Sequence, residues 1–245
     1  MTRKVIELRD VYKSYQSGLT TQTVLHGISL DVTAGEFVAI VGPSGNGKST
    51  VLNLMAGIDR PSQGEVVVLG SPLHTMSEEA LSIWRGSHVC IVFQFFQLLP
   101  ALSLVQNIVF PMDLLGKLPK RERKQRALHL LDLVHLADHA DKLPSQVSGG
   151  QQQRAAIARA LANDPHLIVA DEPTGNLDAA TAGRVFQLFA RLTDQGKTLV
   201  MVTHNETLAL AANRRIEIRS GRVSSNAATL QAAETVRIRS PTSIE

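Results

Sequence analysis

The sequence predicts an α/β fold with a mainly parallel core sheet, an antiparallel β part at the N-terminus and an inserted helical subdomain. Three observations carry this. Apolar runs of strand length alternate with helical patterns in two separate stretches, the rhythm of a parallel sheet with crossover helices. Residues 3–41 hold only strand-like patterns and turns. Between about 98 and 146 the strands give way to helical patterns. The divisions expected are a core of 1–97 and 147–224, a helical subdomain of 98–146 that continues into the following helix, and a polar C-terminal tail of 225–245.

The elements follow in order. Val5, Ile6 and Leu8, then Val24-Leu25 through Ile28, Leu30 and Val32, read as strands, with Gly18 and Thr20–Thr23 as a loop between them. Ala34-Gly35 is a turn before the buried strand Phe37–Val41. A helix follows, with Gly57 placed to end it. Pro61–Gly64 turns into Glu65–Leu69, and Ser77 caps a short helix over 77–86 with Glu78 and Glu79 in its first turn. Val89–Phe93 is another buried strand. Pro111 and Pro119 interrupt the helical stretch, and Lys120–Ala137 is amphipathic, with Ala127, Leu130, Leu131 and Val134 on one face. The basic residues at its start, Lys117, Lys120, Arg121, Arg123, Lys124 and Arg126, read as a solvated face. A helix over 151–162, a strand Leu167–Ala170, a helix over 179–194 and a strand Thr198–Thr203 restore the α/β rhythm. Arg214–Arg219 and Arg222–Ser224 form a hairpin around Ser220-Gly221, and the tail beyond is frayed apart from a short helix near 227–234.

The most informative stretch is Gly42-Pro43-Ser44-Gly45-Asn46-Gly47-Lys48-Ser49-Thr50, between the Phe37–Val41 strand and the helix after it. Its spacing matches G-x-x-x-x-G-K-[ST], the phosphate-binding loop. Consecutive backbone N–H groups and the positive end of a helix dipole suit this loop to a β-phosphate. Glycines at 42, 45 and 47 allow the backbone to come close. Lys48 would reach the β- and γ-phosphates, and the Ser49 hydroxyl would ligate Mg²⁺. A second candidate is the buried strand Leu167-Ile168-Val169-Ala170 ending in Asp171-Glu172. It suits Asp171 to the Mg²⁺ shell and Glu172 to polarising an attacking water.

Composition sets bounds. The chain has 245 residues, enough for one large α/β domain carrying a subdomain, with 44% hydrophobic residues to fill a core. A net charge of +3 is too small to argue for nucleic acid. Its single cysteine, Cys90, excludes an internal disulfide, favours a reducing compartment and sits in an apolar run as a buried thiol. The first residues lack a signal-peptide pattern, and no apolar run approaches the ~18 residues of a membrane span. Work at a membrane therefore requires another chain to cross it.

Between the two nucleotide motifs lies Val147-Ser148-Gly149-Gly150-Gln151, followed by Gln152-Gln153-Arg154. It is similar to Leu-Ser-Gly-Gly-Gln, the characteristic pattern of ATP-binding-cassette (ABC) ATPases, and Ser148-Gly149-Gly150 makes a second anion-binding helix end. With these motifs in order, the chain resembles that family over about residues 3–223. The resemblance implies a P-loop NTPase whose RecA-like catalytic core binds ATP with Mg²⁺. It implies that Tyr15 stacks on adenine and that Gln94 senses Mg²⁺ and links the nucleotide to a transmembrane partner. It further implies that Asn176-Leu177-Asp178 crosses a dimer interface and that His204 contacts the γ-phosphate. Phe93–Pro100 and Asp171–Asp178 look like the ATPases of macrolide exporters and lipoprotein-release complexes. Asn46 departs from the small residue usual in the loop, with a side chain free to point outward. Asn205 stands where the family usually has Asp, which removes a charge near His204.

The mechanism implied needs two copies. The phosphate loop of one would hold MgATP while Ser148 and Gly150 of the other close over the γ-phosphate, giving an ATP-sandwich homodimer. Lys48, the Ser148 helix end and His204 would stabilise charge on the transferring phosphoryl group, and Glu172 would orient water. Such a chain would be cytoplasmic, peripheral on the inner face of the cell membrane through an integral permease subunit, with no nucleic acid as partner. Phe95, Phe96, Leu98 and Leu99 are expected to contribute to a groove for a short helix of that permease. Two other readings share the motifs: a cassette that signals through a membrane partner without moving substrate, and a soluble DNA-repair or translation ATPase. The latter usually carry tandem cassettes, coiled coils or zinc modules, and this chain has one cassette and one cysteine.

Overall fold

A computed structural model describes residues 3–18, 20–175 and 177–228. The strands are β1 (Lys4–Ser17), β2 (Thr20–Thr33), β3 (Phe37–Val41), β4 (Gln63–Val68), β5 (Ser71–Pro72), β6 (Val89–Val92), β7 (Leu167–Asp171), β8 (Thr198–Val202), β9 (Arg214–Arg219) and β10 (Arg222–Ala228). The helices are α1 (Lys48–Met55), α2 (Glu78–His88), α3 (Leu104–Leu115), α4 (Lys120–Leu133), α5 (Gly149–Ala160), α6 (Ala179–Asp194) and α7 (Glu206–Leu210).

They build two sheets. One is antiparallel in the order β2-β1-β4-β5, and the other runs β10-β9-β3-β8-β7-β6. From β9 to β6 every pairing in the larger sheet is parallel, and only the edge strand β10 is antiparallel. Its central strands are apolar throughout because both faces are covered. Phe37, Ala39 and Val41 of β3 face one core with Ile168, Ala170, Leu199 and Met201, against α3 to α7. Val38 and Ile40 face the other with Val169, Val200 and Val202, against α1 and the antiparallel sheet. Period-2 alternation thus places every odd side chain of β3 under the helices and every even one under the smaller sheet.

Three expectations change, and one helix is added. Thr20–Thr23 is the first part of β2, paired with Ser17 back to Ser14, and Ser14 and Thr23 share a hydroxyl hydrogen bond of 2.9 Å. These residues are hydrophilic, yet β-branched threonines fit an exposed strand once a partner strand satisfies the backbone. Pro111 lies inside α3 and does not end it. A capping box between Ser103 and Gln106 starts that helix, Gly116 ends it, and Leu104, Val105, Ile108 and Met112 bury its apolar face. That packing outweighs the roughly 3 kcal/mol an interior proline costs. The hairpin strand after Gly221 reaches Ala228, so 225–228 belong to β10 and not to a tail or helix; residues 229–245 lie outside the described residues. The added helix is α7, started by Asn205, whose side chain accepts from Leu208 N at 3.2 Å as an N-cap.

Among the described residues no helix is long and apolar enough to cross a membrane.

Candidate functional site

The C-terminal ends of β3, β7 and β8 bring the predicted chemistry together, as the crevice rule for open α/β sheets anticipates. A cleft of about 300 Å³ is lined by Ser44, Gly45, Gly47, Lys48, Ser49 and Thr50 from the loop and the start of α1. Gln94, Asp171, Glu172 and His204 complete it from the ends of β6, β7 and β8, together with Val24 of β2, which sequence reasoning missed.

The loop is shaped by close backbone approach. Gly42 has φ +142°, and a Cβ there would sit 2.1 Å from the carbonyl oxygen of Ile218 on the neighbouring strand β9. Only glycine fits. The Lys48 side chain is buried at the head of α1 and donates to the Pro43 carbonyl at 2.9 Å. Burial pushes its ammonium below the ordinary lysine range, and the charges of Glu172 and Asp171 across the cleft oppose that shift. A cation so placed, beside an N-terminal helix end, fits polyphosphate.

Glu172 Oε1 lies 2.7 Å from His204 Nε2. The Glu172 backbone is in the left-handed region at φ 46°, held by its N–H to Val202 O at 3.0 Å and by Gly175 N to its carbonyl at 3.1 Å. These bonds fix the carboxylate at the strand end, facing His204.

Other predicted residues lie elsewhere. Gly42 and Pro43 line an adjoining cavity with His204 and Asn205. The Asn46 side chain does not point outward: it accepts from Ser220 N at 2.5 Å and donates to Pro43 O and Ser44 O. An amide with both a donor and an acceptor can close on three backbone groups at once. Tyr15 is 41% exposed on β1, donates its hydroxyl to Asp59 Oδ2 at 2.7 Å and has Lys13 Nζ 4.8 Å from its ring centroid. Partial burial, then the Asp59 bond, push its hydroxyl pKa up.

Ser148, Gly149, Gly150 and Gln151 open α5 away from this cleft. Ser148 and Gln151 form a reciprocal capping box, at 3.3 Å and 2.8 Å. Asp178 caps α6 through Thr181 N at 2.9 Å, and its bonds with Thr181 hold its carboxyl below the usual range. Asn176 lies outside the described residues. Two side chains of α5 hold the segment on either side of Gln94: Gln153 donates to Phe93 O at 3.3 Å, and Arg159 donates to Gln97 O at 2.6 Å and Phe96 O at 3.2 Å.

Residues 25–175 match the family model described as ABC transporter. The chain belongs to the ABC transporter family. This cassette is 44% identical over 225 residues to the lipoprotein-releasing system ATP-binding protein LolD 1 of Chlorobium chlorochromatii, covering 91% of this chain and 92% of that one. It is 45% identical over 231 residues to the macrolide export ATP-binding/permease protein MacB of Sodalis glossinidius, covering 94% of this chain but 35% of that longer one. Its fold superposes with TM-score 0.87 on the ATP-binding cassette MJ0796, solved as a dimer in a post-hydrolysis state bound to ADP and Pi. That structure shares 38% identity, over 91% of this chain and 98% of the other. The cassette is thus an ABC ATPase, similar to proteins named for lipoprotein release and macrolide export.

Proposed function

We propose that this chain is the ATP-binding and hydrolysing subunit of a membrane ABC transporter, an exporter or a lipid or lipoprotein extractor. The observation that carries the reading is the cleft where Lys48, Ser49, Gln94, Asp171, Glu172 and His204 meet while Ser148-Gly149-Gly150 lies outside it. One chain holds a phosphate cradle and, elsewhere, a second anion-binding helix end. Two copies arranged head to tail would each complete the other's site. A separate integral membrane protein would cross the bilayer and receive the work, keeping the cassette on the inner face of the membrane.

Within each site the loop amides and Lys48 bind the phosphates, and the neutralised charge is largest where the transferring phosphoryl group sits. Glu172 takes the role of orienting and polarising water, with its carboxylate placed by the left-handed backbone and by His204. Rotation of His204 from Glu172 toward a γ-phosphate would exchange one anionic partner for another. Ser49, Gln94 and Asp171 offer oxygens suited to a hard divalent cation, and Mg²⁺ held there would neutralise phosphate charge. Tyr15 is assigned to the adenine and Asp178 to the facing copy. Residues 98–146 are assigned to a helical unit that carries α5 against the core of 1–97 and 147–224.

The test is Glu172→Gln, which keeps size and a hydrogen-bond acceptor while removing the charge. Turnover should fall by roughly two to four decades, the range for loss of general-base work, with ATP affinity retained. In that slow-turnover background ATP should produce dimers on a sizing column, and adding Ser148→Arg should abolish them. Near-normal hydrolysis in Glu172→Gln, or dimers that survive Ser148→Arg, would overturn the reading.

A further inference from the structure

A single side chain ties the phosphate loop to the β9–β10 turn. Asn46 donates its amide N–H groups to Pro43 O at 3.1 Å and Ser44 O at 3.0 Å, and its Oδ1 accepts from Ser220 N at 2.5 Å. Ser220 holds a left-handed backbone at φ 47°, and the next residue, Gly221, accepts from His26 N of β2 at 2.9 Å. The bonds therefore run from the loop through the turn to the strand that supplies Val24, a wall of the cleft. Asn46 itself is not part of that wall.

Pro43 O has a second donor, Lys48 Nζ, at 2.9 Å. The Lys48 ammonium has two more N–H groups with which to meet a phosphate. The Asn46 amide satisfies that carbonyl independently of where Lys48 turns. An anion nest works only while its carbonyls point away from the anion. A serine at this position carries one oxygen a single bond from Cβ and cannot reach two carbonyls and the Ser220 amide together.

We infer that Asn46 is a positioning residue for nucleotide binding: it holds the Pro43 and Ser44 carbonyls in fixed hydrogen bonds and fastens the loop to the β9–β10 turn. This rests on the ATP-site reading above. It concerns affinity and not the chemical step, because Glu172 and His204 are positioned by β7 and β8 without help from this bond network.

The experiment compares the full chain with Asn46→Ala and Asn46→Ser in steady-state ATPase assays and in hydrogen exchange without nucleotide. Both variants should raise the KM for ATP about five- to tenfold, as loss of such a hydrogen-bond set implies, with kcat within about twofold. The Ser220 amide should exchange faster in both. A general folding defect would instead lower kcat at fixed KM, and that result, or an unchanged KM, overturns the inference. Asn46→Ser, the smaller disturbance, decides the matter if Asn46→Ala melts below the assay temperature. A parent chain that fails to bind ATP overturns the ATP-site reading itself; a parent chain that binds, with variants indistinguishable from it, overturns only the role of Asn46.

Discussion

Gly42→Ala separates a steric requirement of the fold from the general tolerance of glycine-rich loops. At Gly42 a methyl group would meet the Ile218 carbonyl oxygen at 2.1 Å and its carbon at 3.2 Å, from backbone φ +142°. Ile218 is not a flexible side-chain tip but backbone of β9, which is locked to β3 by parallel pairing through Val41↔Glu217. Relief needs a shift of about 1 Å in one of these strands or in the loop. Adding overpacking to an unfavourable backbone region gives about 2–5 kcal/mol. For a chain of this size each kcal/mol lowers Tm by about 2–4 °C, so a fall of roughly 4–20 °C is expected. Gly45 is the internal control: φ is +74°, but nothing lies within 4 Å of a Cβ there. Gly45→Ala then carries only the left-handed penalty of about 1–2 kcal/mol. Thermal unfolding followed by circular dichroism, with ATP binding measured on the same preparations, compares them. Gly42→Ala should lose both stability and affinity, and Gly45→Ala should melt closer to the parent chain. Equal melting of the two variants would refute the close-approach argument.

Two further outcomes follow from particular side chains. Burial pushes the Cys90 thiol up to about 12, so on raising pH the unfolded chain loses this proton first, near 8.5–9. The folded pKa is the raised one, and this contribution to stability is full below the unfolded value and falls as pH climbs above it. Urea melts from pH 8 to 10.5 should show Cys90→Ala losing stability less steeply than the parent, by at most about 1.4 kcal/mol per pH unit; parallel curves would count against a buried neutral thiol. Phe95 is 69% exposed, whereas Phe96 is half-buried, with its ring 3.5 Å from where a Cβ on Gly149 would lie. Phe95→Asp should therefore release the chain from the membrane fraction of cells that make the whole transporter while its ATP affinity persists, and full retention would remove Phe95 from the docking surface.

Much of this protein was legible in the chain alone. Apolar runs at β3, β7 and β8 are continuous because both sheet faces are covered, and the strand–loop–helix order around Lys48 follows from glycine spacing and local chemistry. Carboxylates at the end of an apolar strand, and Ser148 ahead of two glycines, are likewise local signals. What needed tertiary structure was every relation between distant segments. Thr20–Thr23 becomes strand only because Ser14–Ser17 lies beside it, and Pro111 stays inside a helix only because its apolar face has a core to bury against. Val24 enters the cleft through β2, and Glu172 meets His204 across adjacent parallel strands. Asn46 looked like a neutral loop substitution, since its partner Ser220 is 174 residues away. Local sequence fixes which backbone conformations and side-chain chemistries are available; only packing decides which of them face one another.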